Sequence, residues 1–180
     1  MINNLLEAKA EKLLDDAGCY TIPVDVICLT DFLKIRVEAM PLQSDISGFL
    51  GITNDNIVIG YNKTQSHERR RFTIAHEIAH YRLHAGKDMP LFIDRDKKPE
   101  QRIMFRDATS STGEFIKERE ANAFAAALLM PKSLVEQEFK SSSKGYIQDT
   151  IKELSAKFQV SVQAMSIRLA NLDIIDANAY

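Results

Sequence analysis

Two histidines four residues apart, with a glutamate directly after the first, stand at His76-Glu77-Ile78-Ala79-His80. On a helix, positions i and i+4 lie one turn apart on the same face, so imidazoles at this spacing converge on one ion. Glu77 follows the first ligand and reaches a water on that ion without binding the ion itself. A divalent cation lowers the pKa of such a water, and a carboxylate beside it acts as general base. The chemistry this set supports is hydrolysis, with His76 and His80 as metal ligands and Glu77 as the catalytic residue.

The surrounding residues strengthen that reading. Phe72, Ala75, His76, Ala79, His80 and Leu83 follow a helical stripe, so both histidines fall within an apolar face. Ile74, Ile78 and Tyr81 make the opposite side apolar too, which predicts a largely buried helix. Two imidazoles and a carboxylate buried without partners would be costly, and a metal with a bound water satisfies all three. A catalytic zinc needs a third protein ligand and an open position. No histidine follows His84, so a carboxylate must serve, and Glu114, Glu118 and Glu120 are on offer. Glu118 has Asn122 one turn on and Ala121 and Ala125 nearby, small side chains that permit close helix packing. Asn122 is placed to hold a ligand histidine by its other ring nitrogen. Glu120 points roughly 160° away from Glu118 at 100° per residue, so both cannot serve. Glu118 is favoured and Glu120 is the alternative. Two histidines and one carboxylate suit Zn(II), one per chain.

Of the four histidines, the remaining two read differently. His84 sits ~12 Å along the axis from His76, too far to share its ion. It is a natural partner for the helix C-terminal dipole, and it and Tyr81 are candidate donors to the transition state. His67 reads as a surface residue near the helix start.

Several elements must position this set. Residues 3–17 repeat apolar positions at helical spacing and stop at Gly18. Pro23 to Leu33 reads as a short helix with proline in its first turn. Residues 34–39, 48–52 and 56–61 read as strands, the last two joined in a hairpin by Thr53-Asn54-Asp55-Asn56. The active helix spans about 66–84, with Ser66 as N-cap and Gly86 as stop. Residues 91–94 and 102–106 are weak strand candidates for a second hairpin. Helices follow at 114–130, stopped by Pro131, then at 132–139, 147–158 and 161–171, with a linker at 140–145. Strands and helices are segregated, so the class is α+β. The expected architecture is a small antiparallel sheet packed on the HExxH helix and a second ligand-bearing helix. Residues 1–140 would form the catalytic domain, and 141–180 a C-terminal helix-turn-helix-like subdomain.

Composition narrows the function classes. The 180 residues carry 23 Lys and Arg against 25 Asp and Glu, a net charge of −2, so a bulk nucleic-acid binder is not expected. The two cysteines, Cys19 and Cys28, are too few for a disulfide framework and are expected to be reduced. Charges interrupt the N-terminus too early for a signal-peptide core, and no apolar run approaches a membrane span. The expected location is cytoplasmic, with no membrane partner.

The segment Arg70-Arg71-Phe72-Thr73-Ile74-Ala75-His76-Glu77-Ile78-Ala79-His80, followed by Glu118-Arg-Glu-Ala-Asn-Ala-Phe-Ala-Ala-Ala-Leu-Leu-Met-Pro131, resembles the ImmA/IrrE family of zinc metallopeptidases. Ser47-Gly48-Phe49 and the strand ending at Asn62 are similar to that family's small sheet. The stretch from Phe158 to Leu169 matches its C-terminal part, so the resemblance covers roughly residues 20–171. It implies a gluzincin-like site with Glu118 as third ligand. It also implies a task, since such proteins cut or inactivate a helix-turn-helix repressor of a phage, mobile element or stress regulon. The alternative is a metal-stabilised module that inactivates a repressor without cleavage. A strand within 47–61 is expected to hold the substrate backbone by strand addition.

The C-terminal pair, 147–158 and 161–171, also reads like a DNA-binding helix-turn-helix. From Lys132 onward, however, six basic residues meet six acidic ones, a poor footprint for phosphates. Direct DNA binding is therefore disfavoured, and packing or repressor recognition is preferred.

Overall fold

A computed structural model describes residues 2–53, 56–85, 91–95, 111–142 and 145–176. The described chain is α+β, with helices α1 (Ile2–Asp16), α2 (Val26–Phe32), α3 (His67–His84), α4 (Ser111–Leu129), α5 (Lys132–Ser141), α6 (Ile147–Phe158) and α7 (Val162–Asn171). The strands are β1 (Arg36–Met40), β2 (Ile46–Ile52), β3 (Ile57–Asn62) and β4 (Leu91–Arg95).

Local chemistry explains most of the boundaries. Ser66 caps α3 by accepting from the Arg69 amide, as its position suggests. Asp25 caps α2 by accepting from the amides of Ile27 and Cys28, so α2 starts later than Pro23 and the proline lies outside it. The β2–β3 hairpin closes through Thr53, whose amide donates to the Asn56 carbonyl and whose hydroxyl accepts from the Asn56 amide. Gln159 takes a left-handed conformation (φ 53°) and turns the chain from α6 into α7. The expected helix stop at Gly86 and the strand at 102–106 lie outside the described residues.

The sheet corrects the sequence reading. Its order is β1-β3-β2-β4, and it is mixed rather than antiparallel. β2 is antiparallel to both β3 and β4, but β1 runs parallel to β3, with Arg36 opposite Val58 and Met40 opposite Asn62. Strand pairing depends on contacts far apart in sequence, so periodicity alone does not reveal it. The order also removes the expected docking edge, because β2 and β3 are each paired on both sides; among the described residues the edges are β1 and β4.

The cysteines are a second correction. Cys19 and Cys28 are joined in a disulfide, because the turn after α1 folds α2 back until the two Cα atoms are 6.6 Å apart.

Helix α3 packs against β2 and β3, against α2, and along α4, while α1 covers α4. One buried cluster runs from Leu6, Leu13 and Leu14 of α1 through Leu50 and Ile59 of the sheet to Phe124 and Leu128 of α4. The same cluster takes in Leu154, Phe158, Met165 and Leu169 from α6 and α7. Two buried arginines tie these last helices down. Arg71 of α3 donates to the carbonyls of Val24 and Gln159. Arg168 of α7 donates to the Met130 carbonyl and forms a two-pronged pair with Glu7 of α1. Among the described residues, no helix is long and apolar enough to cross a membrane.

Candidate metal centre

The two central helices meet residue by residue. His84 lies against the Lys117 carbonyl, His80 against Glu118, and His76 against Glu118 and Asn122. Contacts that descend α3 while ascending α4 mean that the helices are antiparallel. Buried alanines on each, Ala75 and Ala79 on α3 and Ala121 and Ala125 on α4, keep side-chain bulk low enough for that approach.

The convergence is tight. The Nε2 atoms of His76 and His80 lie 3.0 Å apart. Glu118 places Oε1 3.2 Å from His80 Nε2 and Oε2 3.6 Å from His76 Nε2. These three form the group in the described chain whose ligand atoms could hold a metal ion. Tetrahedral zinc with bonds of about 2.0–2.2 Å has donor–donor edges of roughly 3.3–3.6 Å. The observed separations bracket those edges, so the residues present fit the ion. Burial, and next the neighbouring His80, push the His76 pKa down to about 4 against the pull of Glu118. The imidazole is thus neutral at physiological pH, the form a ligand must have.

Glu118 and Glu120 take separate partners. Glu120 lies not at the histidine pair but 3.7 Å from His84 Nε2. The Glu114 side chain lies outside the described residues. The Asn122 side chain lies beside the His76 ring and favours its protonated form, but the buried His76 Nδ1 makes no hydrogen bond, so the expected grip on the second ring nitrogen is not formed. Glu77 is fully buried between α3 and the sheet, with Oε1 3.8 Å from where a Cβ on Gly48 would sit. That Cβ would also collide with Thr73 and come within 2.7 Å of the Gly60 carbonyl, so β2 reaches the catalytic turn of α3 only because residue 48 has no side chain. Nothing local in the sequence marks Gly48 for this role.

The two candidate transition-state donors take different partners. Tyr81 packs on the hydrophobic core. His84 is turned into the α3–α4 interface, its ring centroid 5.6 Å from that of His80. Burial lowers its pKa, with the Lys117 carbonyl opposing. The imidazole side chains of His76 and His80 are almost sealed, whereas Glu118 keeps 36% of its side-chain surface, so the centre opens to solvent on the α4 side.

A helix pair that supplies two imidazoles and a carboxylate, with a glutamate next to the first histidine, defines a metallopeptidase-type centre. The family model for the IrrE N-terminal-like domain of peptidase M78 matches residues 31–170, and the chain belongs to that family. Membership implies peptidase activity. A comparison with curated proteins finds no match.

Proposed function

We propose that this protein is a zinc-dependent endopeptidase that hydrolyses a peptide bond in a regulatory protein, a helix-turn-helix repressor of a phage, mobile element or stress regulon. The convergence of His76 Nε2, His80 Nε2 and the Glu118 carboxylate, with Glu77 one residue from the first ligand, carries the catalytic part. The repressor as substrate rests on the family resemblance.

His76, His80 and Glu118 would hold the zinc, which when bound would supply Lewis-acid polarisation of the scissile carbonyl and acidify a water. Glu77 accepts a proton from the attacking water and returns it to the leaving amine. Its burial against β2 at Gly48 holds it beside the ligand turn and away from bulk water. Asn122, beside the His76 ring, is the neighbour that would steady it. The substrate approaches from the Glu118 side, where the centre meets solvent. Strand addition, if the substrate uses it, falls to an outer strand, and β4 is the one beside β2.

The near-complete burial of His76, Glu77 and His80 favours one second reading, a metal-stabilised module that inactivates a repressor without cutting it. One experiment separates the two. Zinc-loaded wild type and Glu77→Gln are incubated with the repressor encoded nearest the gene, and fragments are sought by mass spectrometry. Fragments from wild type alone are the expected result. Undiminished cleavage by Glu77→Gln would remove Glu77 as the base. A stable complex that relieves repression, with no fragments from either form, would establish the second reading.

A further inference from the structure

The His84 imidazole carries no task in the mechanism above, yet its side chain is only 6% exposed and is aimed at a particular atom. Nε2 lies 3.1 Å from the backbone carbonyl oxygen of Lys117, the residue directly before the ligand Glu118. A carbonyl oxygen only accepts, so Nε2 carries the proton and donates. Helical carbonyls have two lone pairs, and a side-chain donor from a neighbouring helix uses the one left over. The contact therefore pins the backbone of α4 at the peptide that leads into Glu118. The Glu120 carboxylate, 3.7 Å from the same nitrogen, lies on the far side of Glu118 in sequence and brackets the ligand from its other flank.

The geometry of the three ligands shows why a pin is useful. His76 and His80 share one helix, and their separation follows from the helical repeat. Glu118 comes from a different helix, so its distance to the pair depends on how α3 and α4 are registered. The buried alanines of the two helices, Ala75, Ala79, Ala121 and Ala125, carry little bulk to interlock along the axis. A directional hydrogen bond one turn beyond His80 sets that register.

We propose that His84 is a positioning residue that fixes Glu118 on the metal through the Lys117 carbonyl. The inference rests on the metal-centre reading and deepens it.

The test measures metal affinity rather than turnover, on the full chain. Stripped protein is titrated with zinc against a chromophoric chelator, and with cobalt by its visible spectrum. His84→Leu is expected to weaken zinc binding about 10- to 100-fold, the range for loss of a group that orients a ligand. His84→Gln, which keeps an amide donor of similar reach, is expected to recover most of that loss and the wild-type cobalt spectrum. In a Glu118→Ala background His84→Leu is expected to change affinity less than about twofold, because its effect passes through Glu118. Equal losses in both backgrounds, or wild-type affinity in a folded His84→Leu protein, would overturn the proposal. If the leucine variant does not fold, His84→Asn, too short to reach the carbonyl, replaces it with the same expected and overturning results. Absence of metal binding by the wild type would instead defeat the metal-centre reading, so the two failures are distinct.

Discussion

Glu118 and Glu120 stand two residues apart on one helix, yet the first meets His76 and His80 and the second meets His84. Angular spacing separates them but does not say which faces the metal pair. That follows from the antiparallel approach of α3 and α4, which places residue 118 opposite residue 80. The distinction has a direct consequence. Glu118→Ala is expected to lose stoichiometric zinc after gel filtration, and Glu120→Ala to retain it, both read by elemental analysis. Retention of zinc by Glu118→Ala would exclude it as a ligand. Glu77 differs from both, since it lies beneath the sheet rather than on the solvent side. Glu77→Gln should therefore keep zinc and thermal stability while peptide hydrolysis disappears.

At the scale of elements, the site depends on how closely β2 approaches α3. Gly48→Ala sets a methyl group against Thr73 and the Gly60 carbonyl, both of them buried. Overpacking of this kind costs about 1–3 kcal/mol. The strand must also move away from Glu77, so kcat should fall with the thermal midpoint. Gly113 of α4 is the contrasting position, with nothing near an added Cβ. Gly113→Ala should be neutral or stabilising by up to about 1 kcal/mol, because alanine is the better helix former. Equal effects at the two glycines, measured by thermal and urea unfolding, would show that close approach at Gly48 is not the constraint. The helices themselves were legible from apolar spacing and caps. The stretch 147–158 matches α6 end to end, and Ser66 caps α3 as its position suggests. Strand order was not legible, because β1 and β3 become neighbours only after β2 has passed between them in the chain.

For the whole molecule, the C-terminal helices contribute to the common core and are fastened by Arg71, through the Gln159 carbonyl, and by Arg168. Arg168→Ala leaves the largely buried Glu7 carboxylate without its partner and frees the Met130 carbonyl. Breaking a buried pair from one side costs about 3–5 kcal/mol. The exposed Lys12–Asp16 pair of α1 is the control, and Lys12→Ala should cost less than about 1 kcal/mol. Urea unfolding of both variants checks the contrast, and similar midpoints would mean that Arg168 does not fasten α7 to α1.

The sequence by itself determined the chemistry available to this protein. HExxH on an apolar helix places two imidazoles and a carboxylate within one turn, and local geometry fixes that arrangement whatever surrounds it. Tertiary structure decided everything that joins one element to another. Glu118 rather than Glu120 reaches the pair, His84 grips the Lys117 carbonyl, and Gly48 admits the sheet to Glu77. Likewise β1 lies parallel to β3, and Cys19 meets Cys28. Each of these depends on the register between segments. Register is set by packing summed over the whole core, whereas sequence spacing constrains only residues that share a helix or a strand.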